Sequence, residues 1–303
     1  MSPMQKPFDR RSLLAALGAW GCSSHGPAPA PAPAAPAPPY REKLVALEQE
    51  THSRLGVAAW DLEHDARLAY REHERFLFCS TFKLVLAGAV LKRVDAGQEQ
   101  LERRIGYDAS ALLENSSITS AHVAEGSMSV GALCEATVTV SDNAAGNLLL
   151  ASIGGPTALT AFLRSLGDDV SRIDRFEPEL NVYAPGDERD TTTPAAMLHT
   201  TSRLLTSNDV LSEASRRQLG DWMASASTGK RRLRSAFPAG VRSGDKTGTG
   251  EDGATNDVAI AWRPSGKPLV VAAYAFGLPG NLDERSDVIG RVGRIVVEAL
   301  GFR

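Results

Sequence analysis

Residues 76–91 read FLFCSTFKLVLAGAVL, an apolar run that holds one serine and one lysine three positions apart. A run that is apolar on nearly every side predicts a buried helix, and a lysine inside it needs partners or an altered charge state. Residues three apart share a helix face, so Ser80 can meet the amine of Lys83. Because a hydroxyl is a weak nucleophile without an adjacent base, this pair indicates covalent catalysis.

The same Ser-x-x-Lys spacing occurs at two other places in the chain. Ser227 and Lys230 lie in a polar, basic stretch that predicts a solvent-exposed loop. Ser243 and Lys246 lie in a strand-like stretch, where residues three apart point to opposite faces. Only the first pair has apolar surroundings, and the spacing alone is a weak indication of a catalytic site.

The composition is that of an ordinary globular chain, since 43% of the 303 residues are hydrophobic and 23% are charged. A net charge of −3 gives no general affinity for nucleic acid or for anionic membranes. The six histidines show no metal-ligand spacing with one another or with cysteine. Neither a metal site nor another cofactor is therefore expected.

The first 40 residues are expected to lie outside the folded domain. Residues 1–22 combine a basic start, a short apolar core and a small residue before Cys22, which predicts an export signal. The arginines at 10–11 resemble a twin-arginine signal, and residues 19–22 resemble a bacterial lipoprotein box with Cys22 as the lipid-bearing residue. The alternative is simple cleavage nearby. Residues 23–40 alternate proline with alanine and predict an extended linker. We expect an exported protein of the bacterial periplasm, with or without a lipid anchor.

The folded part, residues 41–303, is predicted to contain two subdomains. A mostly helical middle from about 80 to 223 is enclosed by the following elements: a helix at about 41–55, strands at 56–62 and 66–70, a hairpin at 257–262 and 269–276, and a helix from about 282 to 300. This order implies an α/β part at about 41–75 and 225–303 and a helical part at about 76–224. The first strands can join the last hairpin in one antiparallel sheet, with a ligand cleft between sheet and helices.

Three further motifs accompany the first serine and lysine. Ser141-Asp142-Asn143 interrupts an apolar helical stretch, and Lys246-Thr247-Gly248 lies in a strand-like stretch where the glycine lets a ligand approach the backbone. A loop at 175–190 carries Glu177. Each has an ordinary alternative explanation, namely a helix cap, a common tripeptide and a loop charge.

In this order and spacing, the motifs resemble the S-x-x-K, S-D-N and K-T-G signature of the class A serine β-lactamases. The resemblance covers essentially all of the chain after the linker. It implies an α/β (α+β) fold with an antiparallel five-stranded sheet flanked by helices, an all-helical subdomain, and an active site in the cleft between them. It also implies a monomer that hydrolyses small-molecule β-lactams, namely penicillins and cephalosporins, and so gives antibiotic resistance.

The resemblance implies four catalytic residues. Ser80 is the nucleophile that opens the lactam, and Lys83 is its neighbouring base or proton relay. Ser141 passes a proton to the departing lactam nitrogen. Glu177 activates the water that releases the acyl group, whereas the acylation base is disputed in the family between the lysine and this glutamate.

The loop that carries the glutamate is expected to contain two more functional features. Asn181 would hold the deacylating water in place. Arg175 and Asp190 would close the loop with an ion pair, the alternative being two solvated charges.

The resemblance also implies the residues that bind the substrate. Asn143 would hydrogen-bond the side-chain amide of the substrate, and Lys246 and Thr247 would bind its carboxylate. The backbone N–H groups of the nucleophile and of Thr249 would form the oxyanion hole, next to Gly248.

The chain departs from the family pattern at the second cation. Many relatives place an arginine nine residues beyond the Lys-Thr-Gly lysine, where Thr255 stands here. Arg232 aligns with an arginine that other members use, and we expect it to bind the substrate carboxylate; the alternative is one member of a basic surface run. At the cleft mouth, Glu114 or Asn115 stands where relatives usually place an aromatic residue.

The two cysteines of the folded part lack the partners that disulfides in relatives would need. Cys134 aligns with one half of such a bridge, but Ala87 stands at the partner position. The partner position of Cys79 is Gly250. Both cysteines are therefore expected to be free thiols, which removes one argument for carbapenem hydrolysis without excluding it.

Two other functions share part of this pattern. A penicillin-binding D-alanyl-D-alanine peptidase has the serine, lysine and Lys-Thr-Gly elements but releases β-lactams slowly, and a β-lactam sensor stays acylated. Glu177 and Asn181 favour the hydrolase over both, because a carboxylate that activates water would release the acyl group.

Overall fold

The computed structural model describes residues 38–303, so the export signal, Cys22 and nearly all of the linker lie outside the described residues. The helices in this range are α1 (Pro39–Thr51), α2 (Phe82–Asp95), α3 (Ser117–Ala121), α4 (Val130–Thr139), α5 (Asn143–Ser152), α6 (Gly155–Ser165), α7 (Pro194–Thr206), α8 (Glu213–Ala224) and α9 (Leu282–Leu300). The strands are β1 (Arg54–Asp61), β2 (Ala66–Tyr70), β3 (Phe76–Leu77), β4 (Arg104–Gly106), β5 (Ser127–Ser129), β6 (Thr191–Thr192), β7 (Arg242–Thr249), β8 (Thr255–Trp262) and β9 (Pro268–Phe276).

Five of these strands form one antiparallel sheet in the order β2-β1-β9-β8-β7. β1 pairs with β9 along its whole length, from Arg54 opposite Phe276 to Asp61 opposite Leu269. The first strands therefore join the C-terminal hairpin in one sheet, and the predicted five-stranded antiparallel sheet flanked by helices is confirmed. Two short ladders, β3-β6 and β4-β5, lie outside this sheet.

Apolar side chains cover both faces of the sheet. Leu44 of α1 and Ile289 of α9 pack with Val57 and Ala59 in one cluster. Ala58, which alternates with them along β1, belongs to the cluster that contains α2 and α7. The sheet thus forms a layer between the α1–α9 pair and the larger helical body.

The apolar run at 76–91 is not a single helix, although the sequence predicted one. Phe76–Leu77 is strand β3, a 3₁₀ turn covers Cys79–Thr81, and α2 begins at Phe82. Cys79 has a φ of 46°, a left-handed backbone conformation that interrupts a helix. From Phe82 to Leu91 every residue of α2 is buried, which agrees with the predicted environment of the lysine.

The ends of the first predicted helix also differ from expectation. α1 begins at Pro39, inside the stretch assigned to the linker, because proline is well tolerated at the start of a helix. It ends at Thr51 with His52 in a left-handed conformation, so that Leu55 belongs to β1. The C-terminal helix has the predicted limits. The assigned domain and subdomain boundaries stay predictions.

Within residues 38–303, no single helix is both long and apolar enough to cross a membrane. Helices α5 and α6 would pass that test as a pair, by length and composition only, but they meet at an angle of 77°.

Candidate active site

Lys83 is fully buried in the first turn of α2. Its Nζ donates to Asn143 Oδ1 at 2.5 Å and to the backbone oxygen of Ser141 at 2.9 Å, and it lies 3.0 Å from Glu177 Oε1. Burial lowers the pKa of this amine, and the nearby carboxylate of Glu177 opposes the shift. The lysine therefore has the partners that its apolar surroundings require.

Ser80 stands in the 3₁₀ turn just before α2, and its Oγ donates to Glu177 Oε1 at 3.1 Å. Ser80 and Lys83 thus contact the same carboxylate oxygen. Among the described residues, no hydrogen bond joins Ser80 to Lys83 directly. The sequence predicted that the two groups meet on one helix face; because Ser80 precedes the helix, they meet through Glu177 instead.

The Ser-Asp-Asn motif fills the break between α4 and α5. Asp142 caps α5 by accepting from the backbone N–H of Ala145 at 2.9 Å, and Ser141 has a φ of 62°. Ser141 Oγ accepts from Lys246 Nζ at 3.0 Å and from Lys83 Nζ at 3.4 Å. The motif is therefore a helix cap and also the place where both lysines converge.

Lys246 is fully buried in β7, where its Nζ also donates to the backbone oxygen of Thr247 at 2.8 Å. Burial and then the positive charge of Lys83 lower the pKa of Lys246 to about 7. The hydroxyls of Thr247 and Thr228 lie 2.8 Å apart beside it. An amine with this pKa changes its charge within the neutral pH range.

The carboxylate of Glu177 has a partner on each oxygen. Oε1 accepts from Ser80 and Lys83, and Oε2 accepts from Asn181 Nδ2 at 2.5 Å. Glu177 itself is only 2% exposed. The structure therefore brings together Ser80, Lys83 and the two loop residues that the sequence singled out.

Asn147 of α5 fixes the backbone of Glu177, and sequence reasoning missed it. The backbone N–H of Glu177 donates to Asn147 Oδ1, and Asn147 Nδ2 donates to the backbone oxygen of Glu177, both at 2.9 Å. A signal was present in the sequence, since Asn147 follows Asn143 by four residues and shares its helix face in an otherwise apolar stretch.

Arg175 and Asp190 form an ion pair at the base of the loop. Arg175 Nε donates to Asp190 Oδ2 at 2.6 Å, and the carboxylate is fully buried. Asp190 Oδ1 also accepts from the backbone N–H groups of Asp174 and Arg175. This buried ion pair excludes the alternative of two solvated charges.

Arg232 is only 2% exposed, and most of its donors are already bonded within the protein. Nη1 donates to the backbone oxygens of Gly248 and Asn256 at 2.8 and 2.6 Å, and Nε donates to Ser286 Oγ at 3.2 Å. Nη2 donates to Thr249 Oγ1 at 2.8 Å. Burial lowers the pKa of the guanidinium. Arg232 is therefore not part of a basic surface run. Of its hydrogen bonds within the protein, the one to the hydroxyl of Thr249 points towards the cleft.

Gly248 also has a packing role that the sequence did not reveal. A Cβ at this position would lie 3.0 Å from the Cβ of Cys79 and 3.2 Å from Cγ2 of Thr81. The missing side chain therefore lets β7 pack against the turn that carries the nucleophile. Thr247 and Thr249 on either side of it line the cleft, and the approach of a ligand to the Gly248 backbone stays a prediction.

Cys79 and Cys134 are both buried and form no disulfide, as the sequence predicted. Burial raises the pKa of each thiol. Neither is suited to act as a thiolate.

A cleft of about 340 Å³ lies over these groups. The residues that line it are Ser80, Asn115, Val140, Ser141, Asn143, Asn181, Thr228, Arg232, Thr247, Thr249 and Leu282. A neighbouring cavity of about 550 Å³ shares Asn115, Asn143, Asn181 and Thr249 with it and continues past Glu114. A separate cavity of about 450 Å³, lined by Trp60 and His199, contains none of the predicted residues.

The site contains a serine hydroxyl that donates a hydrogen bond to a buried carboxylate and a second hydroxyl that lies between two buried amines. This arrangement defines a serine enzyme of the acyl-transfer class. Residues 39–300 match the model of the β-lactamase enzyme family. An ancestral class A β-lactamase is 55% identical, with 86% of this chain and 99% of that chain covered and a TM-score of 0.82. The class A β-lactamase of the last common ancestor of Gram-negative bacteria is 54% identical, with 86% and 99% covered and a TM-score of 0.83. The chain belongs to the β-lactamase enzyme family and is a class A serine β-lactamase.

Proposed function

We propose that the protein hydrolyses penicillins and cephalosporins through an acyl-enzyme on Ser80, released by water that Glu177 activates, and so gives antibiotic resistance. The observation that carries this proposal is the carboxylate of Glu177, whose Oε1 lies 3.1 Å from Ser80 Oγ. A base at this distance from the nucleophile is also next to the acyl carbon that the nucleophile would carry.

Acylation begins with attack of Ser80 Oγ on the lactam carbonyl carbon, and the lactam C–N bond then breaks. The direct hydrogen bond from Ser80 supports Glu177 as the acceptor of the serine proton. Lys83 lies 3.0 Å from the same oxygen and 3.4 Å from Ser141 Oγ, and it would relay that proton towards Ser141. Ser141 then protonates the departing nitrogen. The backbone N–H groups of Ser80 and Thr249 would stabilise the negative charge on the carbonyl oxygen.

Deacylation needs a water that is held and deprotonated beside the acyl group. Asn181 Nδ2 fixes Glu177 Oε2, and Asn181 Oδ1 accepts no hydrogen bond from any described residue. That oxygen can therefore accept from a water that donates its other proton to Glu177. This arrangement supports a hydrolase over a peptidase or a sensor that stays acylated.

The substrate carboxylate would bind at the β7 side of the cleft, near the amine of Lys246 and the hydroxyls of Thr247 and Thr249. Because Arg232 donates to Thr249 Oγ1, the proton of that hydroxyl is free to be donated to the carboxylate. Arg232 thus supports binding mainly through Thr249. Asn143 Nδ2 donates to the backbone oxygen of Glu114 and has a second proton for the substrate amide.

The substrate's acyl side chain would extend into the neighbouring cavity past Glu114 and Asn115. We further propose a monomer that is exported to the bacterial periplasm, where penicillins and cephalosporins arrive, with lipid attachment at Cys22. Mass spectrometry of the membrane fraction tests the lipid attachment.

Turnover of nitrocefin by the unaltered protein and by the Glu177→Gln variant tests the proposed reaction. We expect sustained hydrolysis by the unaltered protein and accumulation of a covalent adduct on Ser80 in the variant, seen by intact-mass spectrometry. Glu188→Gln is the matched control, since Glu188 is an exposed glutamate of the same loop that lines neither cavity. A single stoichiometric burst from the unaltered protein would instead identify a peptidase or a sensor.

A further inference from the structure

Leu282 is an exposed apolar residue at the edge of the active-site cleft. Its exposed fraction is 48%, the largest among the large hydrophobic residues that the structure describes as exposed. It lines the cleft together with Arg232, Thr247 and Thr249. Single exposed leucines are ordinary on protein surfaces, so exposure alone indicates nothing. What matters is that it lines the same cleft as Thr247 and Thr249, which would bind the substrate carboxylate.

The backbone of Leu282 is held firmly in place. It is the first residue of α9, whose N-terminus is closed by a capping box. Asn281 Oδ1 accepts from the backbone N–H of Glu284 at 3.1 Å, and Glu284 Oε2 accepts from the backbone N–H of Asn281 at 2.8 Å. Arg231, the residue before Arg232, donates to Asp283 at 3.0 Å. These contacts tie the start of α9 to the segment that carries the cleft arginine.

The side chain of Leu282 differs chemically from its surroundings. Besides Leu282, Val140 is the one aliphatic side chain among the residues that line the cleft in the described part of the chain. Penicillins carry two methyl groups on the ring carbon next to the one that bears the carboxylate, and most cephalosporins carry a substituent at the corresponding carbon, C3. A substrate with its carboxylate at Lys246 and Thr247 would bring that group to the α9 edge of the cleft.

We propose that Leu282 is a specificity-determining residue that packs against the apolar group next to the substrate carboxylate. This inference rests on the proposed function, since it assumes that the substrate is a β-lactam. The contact forms with the ground state and persists in the transition state, so it lowers KM and leaves kcat unchanged. Substrates without the apolar group gain nothing from it.

The test compares the unaltered protein with Leu282→Ala and Leu282→Met on benzylpenicillin and on two cephalosporins that differ only in carrying methyl or hydrogen at C3. We expect Leu282→Ala to raise KM about fivefold for benzylpenicillin and the C3-methyl compound, the size expected from roughly 40 Å² of lost apolar contact. The C3-hydrogen compound should be unaffected, and Leu282→Met should behave like the unaltered protein. Val45→Ala is the control, since Val45 is an exposed aliphatic residue of α1 outside the cleft.

Two kinds of negative result can be told apart, one against the role of Leu282 and one against the proposed function. Equal KM values for Leu282→Ala and the unaltered protein, or equal losses on both cephalosporins, would overturn the role of Leu282 and leave the proposed function intact. No turnover of any β-lactam by the unaltered protein would overturn the proposed function itself, and this inference with it.

Discussion

Replacement of Asn147 by alanine tests whether Asn147 holds Glu177 in position, because the substitution leaves the carboxylate of Glu177 itself unchanged. The substitution removes two hydrogen bonds to the backbone of Glu177, each 2.9 Å long, and leaves both peptide groups without that partner. At about 1 kcal/mol for each bond, the free energy of unfolding should fall by about 2 kcal/mol. For a domain of this size, that corresponds to a melting temperature lower by roughly 4 °C.

The catalytic effect of Asn147→Ala should be larger than the effect on stability. A displacement of Glu177 by about 1 Å can cost on the order of a hundredfold in rate, because the carboxylate must contact the reacting groups. We expect acyl-enzyme to accumulate during benzylpenicillin turnover, measured by quenched-flow mass spectrometry below the melting temperature. Asn147→Asp is the matched variant, since it keeps the acceptor for the N–H of Glu177 and loses the donor. Normal deacylation by Asn147→Ala, with only a lower melting temperature, would refute a positioning role for Asn147.

Two further predictions concern β7 and its end. Because the pKa of Lys246 is about 7, its charge decreases as the pH rises through neutrality, so KM for benzylpenicillin should rise from pH 6 to pH 9. Lys246→Arg should flatten that profile, and a constant KM in the unaltered protein would contradict the assignment. A Cβ at Gly250 would lie 2.8 Å from Cys79 Sγ, so Gly250→Cys should form a disulfide with Cys79, visible by peptide mapping and absent when Cys79 is also replaced by serine. Two free thiols under oxidising conditions would count against it.

The sequence predicted the sheet and the last helix well because their signals are local. The apolar runs at 257–262 and 269–276 on either side of a polar turn determine a hairpin, and the apolar face of α9 determines where that helix packs. Lys83 was identified for the same reason, since a lysine among apolar residues is visible without any tertiary information. Ser80 and Lys83 contact the carboxylate of Glu177, and Lys83 and Lys246 contact the hydroxyl of Ser141. These residues could be identified from the order of their motifs along the chain.

What the sequence did not predict depends on contacts between distant segments. Asn147 meets Glu177 across 30 residues, and although its place on the helix face of Asn143 could have drawn attention to it, that place does not identify Glu177 as its partner. The role of Gly248 depends on the turn at Cys79, which packs against β7 only in the folded chain. The start of α2 was misplaced because a left-handed residue inside an apolar run leaves no mark in its hydrophobic pattern.

The position of Ser141 between two buried amines gives its hydroxyl a fixed direction. A hydroxyl oxygen has two lone pairs, and here both can accept, from Lys246 and from Lys83. While both amines are charged, the single proton of Ser141 finds no acceptor on either of them and must point towards the cleft. In the proposed reaction, this orientation favours transfer of the proton to the leaving nitrogen, with replacement from an ammonium behind it. A neutral amine at either position has a lone pair that can accept the proton of Ser141, so the orientation of this hydroxyl depends on the charge of Lys246.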